Sequence, residues 1–137
     1  MAKSFAADVR KFANMTKENM RLVMQESIQE VLKAAQTQQP AAEERGGPPE
    51  QGKIPVDFGF LINSLVSGLN GSFSNDGQHS YVMTIQGMEI GDIAQFAWTA
   101  EYAMAVEMGH GTYPGAHFVS VNAERWPSIV ETNAKRV

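Results

Sequence analysis

The 137-residue chain contains no cysteine. A disulfide framework and any cysteine-ligated metal site are therefore excluded, and the absence suits a reducing compartment. Long apolar runs are missing too. No stretch approaches the ~20 residues of a membrane span. Lys3, Asp8, Arg10 and Lys11 interrupt the region where a secretory signal needs an apolar core. The expectation is a soluble chain, cytoplasmic where it is made, with no membrane partner. Basic residues are scarce beyond Gln51, where Lys53, Arg125, Lys135 and Arg136 stand against eight acidic residues. Residues 1–50 balance, so the net charge of −4 sits in the later part. Phosphate binding needs clustered Lys and Arg, which argues against a DNA-binding groove. An acidic face is compatible with lining a channel that DNA passes through without sticking. The simpler reading is ordinary surface acidity that keeps a protein soluble.

Reactive constellations are also lacking. There is no phosphate-binding loop, and Gly109-His-Gly111 lacks the rest of a dinucleotide fingerprint. No Gly-x-Ser-x-Gly elbow occurs. The three histidines are His79, His110 and His117. His110 and His117 flank a glycine loop and could join Glu107 around a metal, but the spacing matches no established ligand pattern. No catalytic residue, cofactor or metal is expected, and the eight methionines read as the initiator and core positions rather than a special surface.

What is present reads as one α+β domain over residues 1–137, with helices on a small antiparallel sheet. Neither proline nor glycine interrupts the first 39 residues. Phe5, Val9, Phe12, Met20, Val23, Ser27, Val31 and Ala35 form a stripe at three- and four-residue steps, predicting one helix from about Ser4 to about Gln36. A helix of roughly 30 residues is ~45 Å long, more than a compact domain of this size spans. Phe5, Val9 and Phe12 would then overhang it as a candidate interface. The alternative is a core helix that breaks near Asn14. Residues 37–53 carry no large apolar side chain and are rich in glycine and proline, so they predict a mobile loop. From Ile54 to Val66, Asp57 can cap a helix of about two turns that puts Phe60, Leu61, Ser64 and Leu65 on one face. A weak strand over 67–74, a turn at Asn75-Asp-Gly-Gln, a strand over Tyr81–Gln86, a turn over 87–92 and a strand over Ile93–Trp98 complete a meander. Phe118, Val121, Arg125, Trp126 and Ile129 predict a C-terminal helix. Pro127 should kink it or start a second helix.

The organising stretch is Trp98 to Gly109. A buried strand runs into Thr99, a hydroxyl of the type that caps a helix, and Glu101 suits the positive end of that helix. Tyr102, Ala103 and Val106 recur at helical spacing, and Gly109 can end the turn with positive φ. This is packing rather than chemistry.

Three stretches resemble, in order, segments of the tail-completion, or head–tail connector, family of long-tailed bacteriophages. Ile54-Pro-Val-Asp-Phe-Gly-Phe-Leu-Ile-Asn-Ser-Leu65 is similar to the family's P-V-D-T-G-x-L-x-x-S segment, matching at Pro55, Val56, Asp57, Gly59, Leu61 and Ser64, with Phe58 in place of threonine. Tyr102 to Gly109 is similar to Y-A-x-x-V-E-x-G, matching at Tyr102, Ala103, Val106, Glu107 and Gly109. Pro114-Gly-Ala-His-Phe118 resembles the entry to the family's last helix. The resemblance implies a structural virion protein without enzymatic activity. It would form a ring with itself, a hexamer or another neck-matched oligomer, between the head portal or its adaptor and the tail tube or tail terminator. DNA would meet it only by passing through the lumen. Tyr102 and Val106 would anchor the short helix, Glu107 would hold a loop by hydrogen bonding, and Gly109 would permit the turn. Two other classes fit a small, acidic, motif-poor chain. One is a binding module or adaptor, expected as a monomer or dimer. The other is a small hydrolase built on His110, His117 and Glu107.

Overall fold

A computed structural model describes residues 16–55 and 59–137. The architecture is α+β. Helix α1 spans Lys17–Ala35, and it begins where Thr16, in extended conformation, accepts a hydrogen bond from the Asn19 N–H at 3.1 Å. That bond satisfies a donor the first turn cannot. The helix therefore starts at Lys17 and not near Ser4. The expected stretch from Ser4 to Met15, with Phe5, Val9 and Phe12, lies outside the described residues. Within α1 the stripe is real: Val23, Ser27, Leu32 and Ala35 are buried.

The expected mobile loop is in fact tied down. It holds a short helix, α2 (Ala42–Arg45), and two glutamines stitch it. The buried Gln39 amide donates to the Lys53 carbonyl at 2.7 Å and accepts from Arg45 and the Glu50 N–H. Gln51 donates to the Gly115 carbonyl at 2.8 Å. Helix α3 (Phe60–Asn63) is one turn, not two, and its buried residues are Leu61 and Ile62. Phe60, expected on the inner face, is 71% exposed.

Three strands follow: β1 (Leu65–Leu69), β2 (Asn75–Asp76) and β3 (Ala94–Trp98), in the antiparallel order β2-β1-β3. Leu65 opposes Trp98 and Leu69 opposes Ala94. The Asn75-Asp76 pair expected as a turn forms the short β2 instead, and Gly77 turns the chain after it. Gly68 is required by space: a Cβ there would lie 1.6 Å from the Ser72 carbonyl oxygen.

The expected strand over Tyr81–Gln86 is a helix, α4 (Ser80–Gln86). Tyr81, Thr84 and Ile85 are buried at three- and four-residue steps and face α1 and β1. Gln25 of α1 donates to the Ile85 carbonyl in the last turn of α4 and to the Met88 carbonyl just beyond it, at the end of a helix where carbonyls lack full helical pairing. After β3 come α5 (Ala103–Met108), α6 (Ser120–Ala123) and α7 (Trp126–Ala134). Pro127 sits in the first turn of α7, so it starts a second helix and does not kink one.

Two apolar clusters fill the interior. One joins Leu32, Leu65, Tyr81 and Ile85. The other joins Ala35, Ile54, Leu61, Ile62, Ala116 and Phe118, with Trp98, Ala103 and Val106 packed on it. Burying a ring such as Phe118, 1% exposed, stabilises by roughly 1.5–3 kcal/mol. Polar groups inside are matched: Asn133 of α7 donates to Ser27 of α1 at 3.1 Å, and Ser67 and Ser80 share a bond of 2.8 Å. Among the described residues no buried side-chain nitrogen or oxygen lacks a partner.

Candidate functional site

Two of the three stretches singled out in the sequence meet at one pocket. Pro55, Gly59 and Leu61 come from the first, and Tyr102, just ahead of α5, with Ala105 and Val106 of α5, from the second; His110 and Tyr113 close it. The volume is about 360 Å³, and the walls are mostly apolar. Gly59 reaches this position with φ 71°, a left-handed conformation that glycine adopts without strain. Val56 and Asp57, like Phe58, lie outside the described residues. Ser64 does not reach the pocket; its hydroxyl donates to the Leu61 carbonyl at 2.7 Å and closes the end of α3.

Thr99 does not cap α5. Its N–H and its hydroxyl both donate to the Ser64 carbonyl, at 3.1 and 3.0 Å, so it pins the end of β3 to the end of α3. Helix α5 begins at Ala103, after Tyr102. Val106 and Ala103 pack on the core around Phe118. Tyr102 is 38% exposed and forms a pocket wall instead of a core anchor.

The third stretch is bound directly to the second. The Glu107 carboxylate accepts the Val119 and Ser120 N–H groups, each at 2.9 Å, one per oxygen. A carboxylate here satisfies the free donors at the start of α6 and faces the positive end of that turn. The backbone adds Ala116 N–H to the Val106 carbonyl at 2.7 Å and His117 N–H to the Glu107 carbonyl at 3.1 Å. Gly109 (φ 98°, ψ 160°) lies against Gly115 (φ 81°). A Cβ on Gly109 would meet the Tyr113 carbonyl oxygen at 2.7 Å, and one on Gly115 would meet the Gly109 nitrogen at 2.7 Å. Both glycines are there for close approach as well as for φ.

His117 is held with φ 48°, and its Nδ1 bonds the Gln51 side chain at 2.7 Å. His110 is exposed on the pocket rim. With both Glu107 oxygens occupied by backbone donors, these three residues do not converge on one point. Among the described residues no group of three His, Cys, Asp or Glu side chains could hold a metal ion. The constellation that a small hydrolase would need from them is not assembled.

The sequence did not mark the glutamines. Gln36, 6% exposed, accepts from the Trp98 indole N–H at 2.9 Å and donates to the Ile62 and Gln78 carbonyls at 2.9 and 3.0 Å. Trp98 then meets Phe118 edge to face, with ring centres 5.2 Å apart. The end of α1, the end of β3 and the entry to α6 are thereby one unit. Comparison with family models, with curated proteins and with solved structures finds no match for this chain.

Proposed function

We propose that this chain is a structural protein of a tailed-phage neck, a subunit of the ring that joins the head portal to the tail tube. The observation that supports the reading is spatial. Three stretches that resemble segments of that family, far apart in the sequence, fold into contact with one another. Its residues act by shape: Pro55, Gly59, Leu61, Tyr102 and Val106 form a pocket, while Glu107 and Gly109 fix the loop beside it. A pocket walled by tyrosine, proline and aliphatic groups suits a side chain of a neighbouring protein better than a reaction that needs charge stabilised. Phe60, between two of the pocket residues in sequence, is itself exposed, as are Met104 and Met108 of α5.

In this reading Phe5, Val9 and Phe12 face a neighbouring subunit or neck partner. The test changes Phe5 and Phe12 to Ser in the full chain and follows both melting temperature and incorporation into particles. The expected result is loss of incorporation with little change in melting. Full incorporation with unchanged melting rejects the interface, and a large drop in melting places these residues in the subunit's own core.

A further inference from the structure

Strand β3 pairs with β1 on one side, and on the other it has no neighbouring strand among the described residues. The register fixes where its backbone groups point. The Asn70 N–H donates to the Ile93 carbonyl and the Thr99 N–H to the Ser64 carbonyl. Both pairs continue the register in which Leu65 opposes Trp98. Antiparallel pairs alternate between bonded and non-bonded. Counting inward by twos, Gln95 and Ala97 turn their N–H and C=O groups to β1, while Ala94, Phe96 and Trp98 turn theirs to the open edge. Among the described residues those outward groups have no hydrogen-bond partner. Charge, proline or a bulge usually protects such an edge. Ala-Gln-Phe-Ala-Trp carries neither charge nor proline, and its pairing with β1 is unbroken.

Two troughs flank the edge and meet at Phe96, which lines both. The one beside Ala94, of about 300 Å³, is walled by Ile28 of α1 and Trp126 of α7. The one beside Trp98, of about 440 Å³, is walled by Met104 of α5 and by Phe118 and Val119 at the entry to α6. Glu101 stands on the rim of the second trough, and among the described residues its carboxylate has no ion-pair partner. None of these residues lines the Tyr102 pocket.

We propose that this edge binds an extended segment of a partner protein, added antiparallel to β3. Its apolar side chains fall at alternate positions, and a Lys or Arg precedes them to meet Glu101. Residues two apart in a strand stand ~7 Å apart on one face, so alternate side chains enter the two troughs in turn. The row of open backbone groups calls for an extended chain and not a helix. The β3 of a second folded copy would bring its own α6 and α7 walls against these, so a single segment fits where a second sheet does not. Residues 4–14 of the chain itself have helical period, which suits no added strand. The pairing holds whether or not the chain belongs to a neck.

The probe is a fluorescent peptide, Lys-Thr-Val-Thr-Ile-Thr-Val-Thr, titrated with the full chain and read by anisotropy. Saturable binding is expected. N-methyl groups on its Val and Ile residues remove the donors that face β3 and should weaken binding about tenfold or more. N-methyl groups on the Thr residues between them face away and should change it less than about threefold. Ala94→Pro removes an outward donor and keeps the bonds to β1, so it should melt like wild type and bind about tenfold less. If it melts lower, Met104→Asp replaces it, since Met104 is 71% exposed, and the same loss is expected. Absence of binding to chain that melts normally overturns the proposal, as does equal weakening by the two methylations. A chain that sediments as a dimer and becomes monomeric with Ale94→Pro would give the edge to a second copy and overturn it as well.

Discussion

Glu107 and Ser120 are joined by a hydrogen bond from the Ser120 N–H to the Glu107 carboxylate, at 2.9 Å, and the second carboxylate oxygen takes Val119 in the same way. This one side chain starts α6 and fixes the loop between them. Glu107→Ala strands two half-buried donors. The expected loss is about 2 kcal/mol, or roughly 8 °C in melting temperature for a chain of this length. Glu107→Gln keeps one acceptor and should lose about half as much. Thermal unfolding of the two variants checks both figures; equal melting of all three proteins would show that the carboxylate holds nothing.

Gly109 is expected to be among the least replaceable residues. Gly109→Ala meets a backbone oxygen at 2.7 Å and carries φ 98°, so strain and clash add. A loss above ~2 kcal/mol is expected, and Gly109→Val should lose more. Gly91 is the control: φ is 96° there, but a Cβ would meet nothing within 4 Å, so Gly91→Ala should cost about 1 kcal/mol. Thermal melting of both variants separates the contributions. Equal losses would assign the whole effect at Gly109 to φ.

Much of this frame was legible in the sequence where one face of an element carries the signal. The α1 stripe through Val23, Ser27 and Ala35, strand β3, the glycine stop at Gly109 and the new helix at Pro127 all follow from local pattern. The segment over 81–86 was misread because two periods fit it. Tyr81, Met83 and Ile85 alternate like a strand, while Tyr81, Thr84 and Ile85 also lie on one helical face. Packing against Leu32 and Leu65 decides between them, with Gln25 completing the helix end, and neither is a local property. The 37–53 loop was misread for a related reason. Its composition speaks of solvent, yet the Gln39 and Gln51 amides meet particular backbone groups, and such pairings leave no periodic trace. The pocket was half legible: its two stretches were singled out, but their meeting required the Thr99–Ser64 contact that joins β3 to α3.

The Gln36 amide should be intolerant of change. It satisfies an indole N–H and two carbonyls in a nearly dry setting. Gln36→Ala leaves three partners unmatched, and a loss of about 2–4 kcal/mol is expected. Gln36→Glu should be worse, because a carboxylate would face the Ile62 and Gln78 carbonyls. Denaturant melts followed by tryptophan fluorescence read both stability and the Trp98 environment. An unchanged midpoint in Gln36→Ala would contradict the network.

Acid should loosen one corner of the sheet. The Asn70 amide bonds the Asp92 carboxylate at 3.0 Å, and the Glu89 N–H adds a second bond at 2.9 Å. Together they hold the Asp92 carboxyl below the usual carboxylate range, with Asn70 the larger cause. A carboxyl that titrates lower in the folded chain than in the unfolded one stabilises fully above the unfolded value of about 3.9. Its contribution is lost as pH falls through the folded value. The melting-temperature difference between wild type and Asp92→Asn should therefore be steady from pH 6 to about 4 and shrink below that. A difference that is flat down to pH 2.5 would show that ionisation of Asp92 is irrelevant.

The central claim concerns place. Electron cryomicroscopy of assembled tailed particles that incorporate this chain, with the particle axis resolved, locates it directly. The account predicts a closed ring of its copies at the junction of head portal and tail tube, with DNA or an open lumen along the axis. Density for the chain elsewhere in the particle, or single copies at the neck without a ring, would contradict it.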